Sequence, residues 1–285
     1  MGILFALIAL VCWGFGDFLI QRSTRRFGDW VALFYITAIA AVTLLPLVYR
    51  DVLSLTLGDF WLLLGTSMVI FFAAIFDFEA LRRGKISVVA PIFALEVPIT
   101  VGLAALIIGE HLMPLQYLLI FALLVGIVLV GIKQFHHLKN IHLERGVWLA
   151  VIATIGMGTV NFLFGVGARE TSPLLINWFT SLFIAVATLI YLCLSGGVGK
   201  IATDWHGNKR LILTVGVIDN LAWVAYSFAT LYIPIAIAIG ISESYLALAC
   251  LLGLLINKEK LKTHQWAGMI LAVIAVIALA IVTGG

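Results

Sequence analysis

ISVVAPIFALEVPITVGLAALIIG, residues 86–109, contains no lysine or arginine, a single acid (Glu96) and two prolines (Pro91 and Pro98). A run this long and this apolar crosses about 30 Å of hydrocarbon as a helix. Its acid costs roughly 2.5 to 3.5 kcal/mol at the bilayer centre, so it persists only where a polar path or a cation compensates. Each proline lacks the N–H that would satisfy a carbonyl one turn earlier, those of Ser87 and Ala94. Free carbonyls beside a carboxylate make a polar pocket in mid-span, which membrane helices tolerate where they line a cavity. The plainer reading of Glu96 is a packing kink with the acid held by a neighbouring hydroxyl.

The rest of the chain repeats this composition. Spans are expected at Gly2 to Gln21, Trp30 to Tyr49, Phe60 to Leu81, Ile86 to Gly109 and Leu112 to Ile132. Five more follow at Gly146 to Ala168, Pro173 to Ser195, Leu211 to Tyr232, Ile233 to Ile256 and His264 to Thr283. With 63% hydrophobic and 11% charged residues the chain is no soluble domain, since soluble chains carry roughly 25% charged residues. The first stretch follows Met1 with no basic segment and holds an acid, so it reads as a retained helix and not a cleaved signal. The longest connections, Lys133 to Arg145 and Gly196 to Arg210, leave no room for a soluble domain. A net charge of +3 is an orientation signal here, and nothing points to nucleic acid. Cys12, Cys193 and Cys250 each fall in an apolar stretch and imply packing and no disulfide framework.

The chain repeats weakly. Gly2, Ala6, Gly14, Phe18 and Arg25 recur 144 residues on as Gly146, Ala150, Gly158, Phe162 and Arg169, with Asp17 meeting Asn161. Later the shift is 149, pairing Ala80, Ile86, Glu110, Leu112 and Gln116 with Ala229, Ile235, Glu259, Leu261 and Gln265. Five helices per half is an odd number, so the second half lies upside down relative to the first. The expected fold is therefore an all-α membrane protein of ten transmembrane helices in two inverted five-helix repeats. The repeats are 1–132 and 146–285, joined by a connecting loop at 133–145. Connections after helices 1, 3, 5, 7 and 9 carry fifteen of the seventeen basic residues, and the other side has only Arg50 and Arg169. Short cytoplasmic loops are enriched in Lys and Arg, which places the odd-numbered connections in the cytoplasm and both termini on the non-cytoplasmic side of the cell (inner) membrane.

Six carboxylates fall inside the apolar stretches, and every lysine and arginine can be placed outside them. Glu96 and Glu243 occupy near-equivalent places in the fourth and ninth spans. Two carboxylates approaching one cavity from opposite halves repel, and a shared proton relieves them, so both are candidates for proton coupling. Asp219, Trp223, Tyr226, Ser227 and Thr230 recur at helical spacing and form a polar, aromatic face, which suits either a cavity wall with a ring for a cation or a polar helix interface. Asp17 follows Trp13 by one turn and has Asn161 as its counterpart, giving Trp13, Asp17 and Asn161 a cavity role. Asp77 shares a face with Ala73 and Ala80 and reads as a structural hydrogen-bonding group. Glu79 is explained by a membrane-edge ion pair with Arg82 and Arg83, and Glu110 and Glu259 by capping or interfacial roles. His136, His137 and His142 lie in a basic loop, so no metal site and no cofactor is expected. Trp30, Trp61, Trp148 and Trp266 read as interfacial anchors.

The chain resembles the drug/metabolite transporter superfamily, in its ten-helix EamA-domain branch. The resemblance rests on Trp13-Gly14 with Phe18, Ala80-Leu81-Arg82-Arg83-Gly84 before helix 4, Pro98 within it, and Gly109-Glu110-x-Leu112 opening helix 5, echoed by Glu259-x-Leu261. It implies a secondary transporter with a central cavity between the halves, many relatives exporting metabolites or amino acids. Asp17, Asp77, Asp219 and Glu243 are not general positions of that family, so the resemblance carries no substrate. The reading that results is alternating access for a small amine-bearing metabolite, with Trp13, Asp17, Glu96, Asn161, Asp219, Trp223, Tyr226 and Glu243 binding it and Glu96 and Glu243 carrying protons. Proton-coupled export of an amino acid or related metabolite stands first, and import of a quaternary ammonium or other organic cation second. A membrane-embedded enzyme is the rival class; the sequence offers it no metal set and no placed Ser-His-Asp arrangement. The expected partners are a small-molecule substrate, protons and the lipid bilayer.

Overall fold

The structure is a computed structural model that describes residues 1–84, 92–131, 146–245 and 262–284. The connecting loop with its three histidines, Ser87 and Pro91, Cys250, Glu259 and the second half of the ninth stretch lie outside the described residues. Ten helices are seen among the rest. The first five are α1 (Gly2–Phe27), α2 (Asp29–Leu53), α3 (Leu57–Arg83), α4 (Glu96–Ile107) and α5 (Pro114–Gly131). The second five are α6 (Val147–Glu170), α7 (Pro173–Leu194), α8 (Val198–Tyr232), α9 (Ile235–Ser242) and α10 (Thr263–Gly284).

Local chemistry sets the ends. A single residue, Gly28 at φ 84°, separates α1 from α2, a left-handed turn that glycine makes without penalty. Thr56 and Asp59 form a reciprocal capping box at the start of α3. Ser172 caps α7 ahead of Pro173, whose missing N–H costs nothing at that position. One expectation fails here: the connection Gly196 to Arg210 is helical from Val198, with a kink at Asn208. Ile201 and Trp205, one turn apart, dock this segment on α2. The Tyr35 hydroxyl donates to the Ile201 carbonyl, and the Tyr35 and Trp205 rings lie 6.0 Å apart.

Inversion shows in the pairing of helices. The closest partners are α1 with α8, α3 with α6, α2 with α7, and α5 with α10, while α4 also packs on α9. Exchanging each helix with the one five places on carries α1·α8 onto α6·α3 and leaves the other pairs in place, as a two-fold axis in the membrane plane requires. The repeat extends to single hydrogen bonds. Arg169 donates to the carbonyls of Thr230 and Ile233, while at the opposite end Gln21 and Arg25 donate to Leu81 and Gly84, the positions 149 residues earlier.

The outer surface is apolar: Phe18, Phe72, Leu106 and Ile281 are 58%, 60%, 85% and 70% exposed. So broad an apolar surface has lipid as its solvent. Between helices, small residues set the distance. A Cβ on Gly126 would sit 2.8 Å from the Gly268 carbonyl oxygen, and one on Gly268 would sit 2.7 Å from that of Gly126, so α5 and α10 touch backbone to backbone. Polar side chains are gathered inward, toward the middle of the bundle.

Candidate functional site

Two spans break at corresponding places, and each break carries an acid. Before α4 the chain turns through Ala94 and Leu95, and after α9 it turns through Glu243 and Ser244, 149 residues later. The carbonyl of Ala94, expected to be left free by Pro98, accepts instead from the Val97 N–H at 3.3 Å in a tight turn. The break therefore satisfies its own backbone, which is what allows it in mid-membrane. Glu96 becomes the first residue of α4, where the helix dipole favours negative charge. Its carboxylate accepts from Asn161 Nδ2 at 3.1 Å. The segment is tied to α6 by two further bonds, Thr100 Oγ1 to the Gly158 carbonyl at 2.8 Å and Thr154 Oγ1 to the Ile92 carbonyl at 3.3 Å.

Between the halves lies a cavity of about 100 Å³. Five carboxylates line it: Asp17 from α1, Asp77 from α3, Glu96 from α4, Asp219 from α8 and Glu243 from the break after α9. All but Asp17 belong to residues less than a tenth exposed, and no lysine, arginine or histidine lines the cavity among the described residues. Asp17 accepts from the Tyr245 hydroxyl at 2.5 Å and Glu96 from Asn161. Asp77, Asp219 and Glu243 have no hydrogen-bond donor among the described residues. These three acids line the cavity, where a proton, a cation or water can meet them.

The amide and hydroxyl groups of the wall are largely engaged with the protein. Asn177 Nδ2 donates to the Pro173 carbonyl and to Ser227 Oγ, Asn220 Nδ2 to the Ile36 and Gly216 carbonyls, and Thr37 and Thr180 to carbonyls one turn back. The cavity offers many acceptors and few donors. Trp13 and Trp223 meet edge to face at 5.2 Å on its wall, with Phe164 at 4.7 Å from Trp223. Tyr226 stands behind them, fully buried, its hydroxyl given to the Asn161 carbonyl at 2.9 Å. Of the eight substrate-site residues expected from the sequence, the structure brings seven to the cavity and places Tyr226 in the layer that supports Trp13.

The end opposite the basic connections is bolted. Glu110 accepts from Arg169 at 3.1 Å and from the backbone N–H groups of Ile235 and Ala236 at the start of α9. Ser172 Oγ donates to Asp51 across the same end. Glu79 pairs with Arg82 and Arg83 at the other end, as its spacing indicated, and Arg82 also reaches Asp29 at 3.2 Å. Trp61 and Trp148 are 61% and 69% exposed near helix ends, whereas Trp30 stacks on Tyr191 at 3.7 Å and joins α2 to α7.

Sequence reasoning passed over Asp77, Asn177, Asn220 and Tyr245 as cavity residues. Asp77 was masked by its small neighbours: Ala73 does meet α6, at Gly156, while the acid one turn on faces the cavity. Tyr245 carried a signal in its pairing with Glu96 across the repeat, which places it at a cavity position.

Ten helices in two inverted sets, meeting at paired helix breaks around an acid-lined cavity, define a multi-pass membrane carrier of the inverted-repeat kind. The sequence model of the EamA-like transporter family matches residues 1–132 and 144–281, and the chain belongs to that family. It is thus a membrane protein of secondary transport. A solved structure described only as the crystal structure of a protein aligns over 99% of this chain and 98% of its own, with a TM-score of 0.73 at 14% identity, which shows the shared fold. In all, 28 solved chains match, whereas no curated protein does.

Proposed function

We propose that the chain moves a small organic cation bearing an amino group, in exchange for protons held at Glu96 and Glu243. The observation that carries this is the cavity wall of five carboxylates and no basic residue among those described. Cation and proton then compete for the same oxygens, which is the physical basis of coupled exchange: neither leaves until the other replaces it. An ammonium with N–H donors suits Asp77, Asp219 and Glu243, whereas a quaternary ammonium leaves those acceptors unmet. Import of a quaternary cation is accordingly the weaker of the two readings. An amino acid would bring its own carboxylate to a wall short of free donors, so an amine without one fits better.

Residues 1–132 and 146–285 are taken as the units that rock against each other, with 133–145 as their link. Solute movement in sealed proteoliposomes tests the proposal. An imposed pH gradient should drive amine accumulation, and Glu96→Gln or Glu243→Gln should abolish that accumulation while leaving exchange partly intact. Accumulation indifferent to the pH gradient in the wild type would reject coupling, and turnover of a solute that survives in detergent would favour the enzyme class.

A further inference from the structure

A second recess, of about 590 Å³, lies at the end of the basic connections and shares no lining residue with the central cavity. It sits on the seam between the repeats. The first repeat supplies Glu79 and Arg82 from α3 and the corner between α1 and α2; the second supplies Leu149 from α6, Tyr191 from α7 and Lys200 from α8. The Trp30–Tyr191 stack forms part of the wall, and Tyr191 is 42% exposed. Such rings suit the headgroup level of a bilayer. One turn further into the span from Glu79, Ile75 and Phe76 make the wall apolar. The recess is therefore charged at its outer end and apolar toward the membrane interior, as a lipid is.

Four charged residues line it, two of each sign: Asp29, Glu79, Arg82 and Lys200. They are not equally free. Arg82 is committed to both acids, and Arg83 takes the other oxygen of Glu79. Asp29 Oδ1, in contrast, is buried without a hydrogen-bond donor among the described residues, on a side chain that lines the recess. Lys200 is exposed and has no ion pair among the described residues. Beside it Gly196 and Gly197 lead into α8, whose first N–H groups have no side-chain cap. Free N–H groups at a helix start favour a phosphate. One acceptor thus stands open for an ammonium, and a separate set of donors for a phosphate. A choline headgroup has no N–H to give Asp29, and a glycerol headgroup brings a net negative charge to two acids.

We propose that this recess holds a phosphatidylethanolamine of the bilayer. Its phosphate rests on Lys200 and the start of α8, and its ammonium is met by the Asp29 carboxylate turned toward it. The upper part of its acyl chains lies on Ile75, Phe76 and Leu149. The lipid then bridges the two repeats, whatever solute the central cavity carries.

Native mass spectrometry of the purified full-length chain in detergent tests the proposal. It reads the fraction carrying one lipid as phosphatidylethanolamine, phosphatidylcholine or phosphatidylglycerol of the same acyl chains is added. Phosphatidylethanolamine should bind at a concentration at least about ten-fold lower than the other two, the worth of one charge-assisted hydrogen bond. Asp29→Asn should bring phosphatidylethanolamine and phosphatidylcholine to within about three-fold of each other. Lys200→Gln, at an exposed position, should weaken all three by about five-fold and keep their order. Should Asp29→Asn not fold, the wild-type order and Lys200→Gln decide. Equal binding of phosphatidylethanolamine and phosphatidylcholine by the wild type, or tightest binding of phosphatidylglycerol, would overturn the proposal. So would a preference for phosphatidylethanolamine that neither substitution alters. Displacement of the lipid by free phosphoethanolamine at a matching concentration would overturn the lipid as occupant.

Discussion

Tyr245 and Asn161 are the donors that two of the five acids possess, and their removal separates structure from binding. Tyr245→Phe leaves Asp17 without its hydrogen bond, which should cost about 1 to 3 kcal/mol and lower the melting temperature in detergent. A saturating amine should restore part of that loss, because the cation takes the place of the donor. A loss that no amine reduces would place Asp17 outside the binding site. Asn161 holds Glu96 through its side-chain amide and Tyr226 through its backbone carbonyl, so Asn161→Leu removes the donor of the acid and keeps the acceptor of the tyrosine. Most individual acids could be read from the sequence because charge in an apolar run is conspicuous. Which of them had a donor could not be, since Tyr245 is 228 residues from Asp17 and Asn161 is 65 from Glu96, and nothing local links them. Glu79 is the instructive contrast: its partners lie three and four residues away, and the ion pair was evident from spacing alone.

At the level of elements, the contact of α5 with α10 is remote from the cavity and should behave as a packing joint. Gly268→Val forces its side chain against the Gly126 carbonyl and the Val130 backbone nitrogen, a strain of about 1 to 3 kcal/mol by the usual cost of overpacking. The expected result is a lower melting temperature with the amine Kd of the folded fraction within about three-fold of the wild type, since that joint contributes no residue to the wall. A Kd shifted by much more would mean that α10 takes part in binding. Spans were legible because twenty or so apolar residues have few other fates. Their ends were less so: the apolar criterion stops α1 at Gln21, yet its helix continues to Phe27, because polar residues facing a neighbouring helix need not leave the helical conformation. The helical segment at Val198 was missed for the same reason, since its charged residues read as loop.

For the whole molecule, the contact between Glu110 and Arg169 joins the first half to the second at the end away from the basic connections. In a chain whose native cysteines are replaced, Glu110→Gln should speed the reaction of a cysteine introduced at Phe164 with a membrane-impermeant thiol reagent supplied from that end. An unchanged rate would show that other contacts hold the end shut. Orientation is tested separately: a reporter active only in the cytoplasm should work when inserted near Lys139 and be silent at the C-terminus. The opposite result would invert the expected orientation and leave the ten spans intact. The inverted architecture could be inferred from loop charge and a faint repeat, because both follow from the odd number of spans in each half. The gathering of five acids at one place could not, since it depends on helix rotation, and loop charge is silent on that.

The first repeat supplies three of the cavity acids and the second supplies two. Two identical halves would place an even number around the two-fold axis, and a solute could then rest on it. Five cannot be so arranged, so the acids do not all form pairs related by that axis. If the halves rock as proposed, the solute would meet a different set of acids on one face of the membrane than on the other, and would be held more tightly on one of them. Sidedness would then be written into the protein itself: gradients fix where net flux ends, but unequal grip at the two faces would make the carrier a rectifier, quicker in one sense than in the reverse at equal driving force.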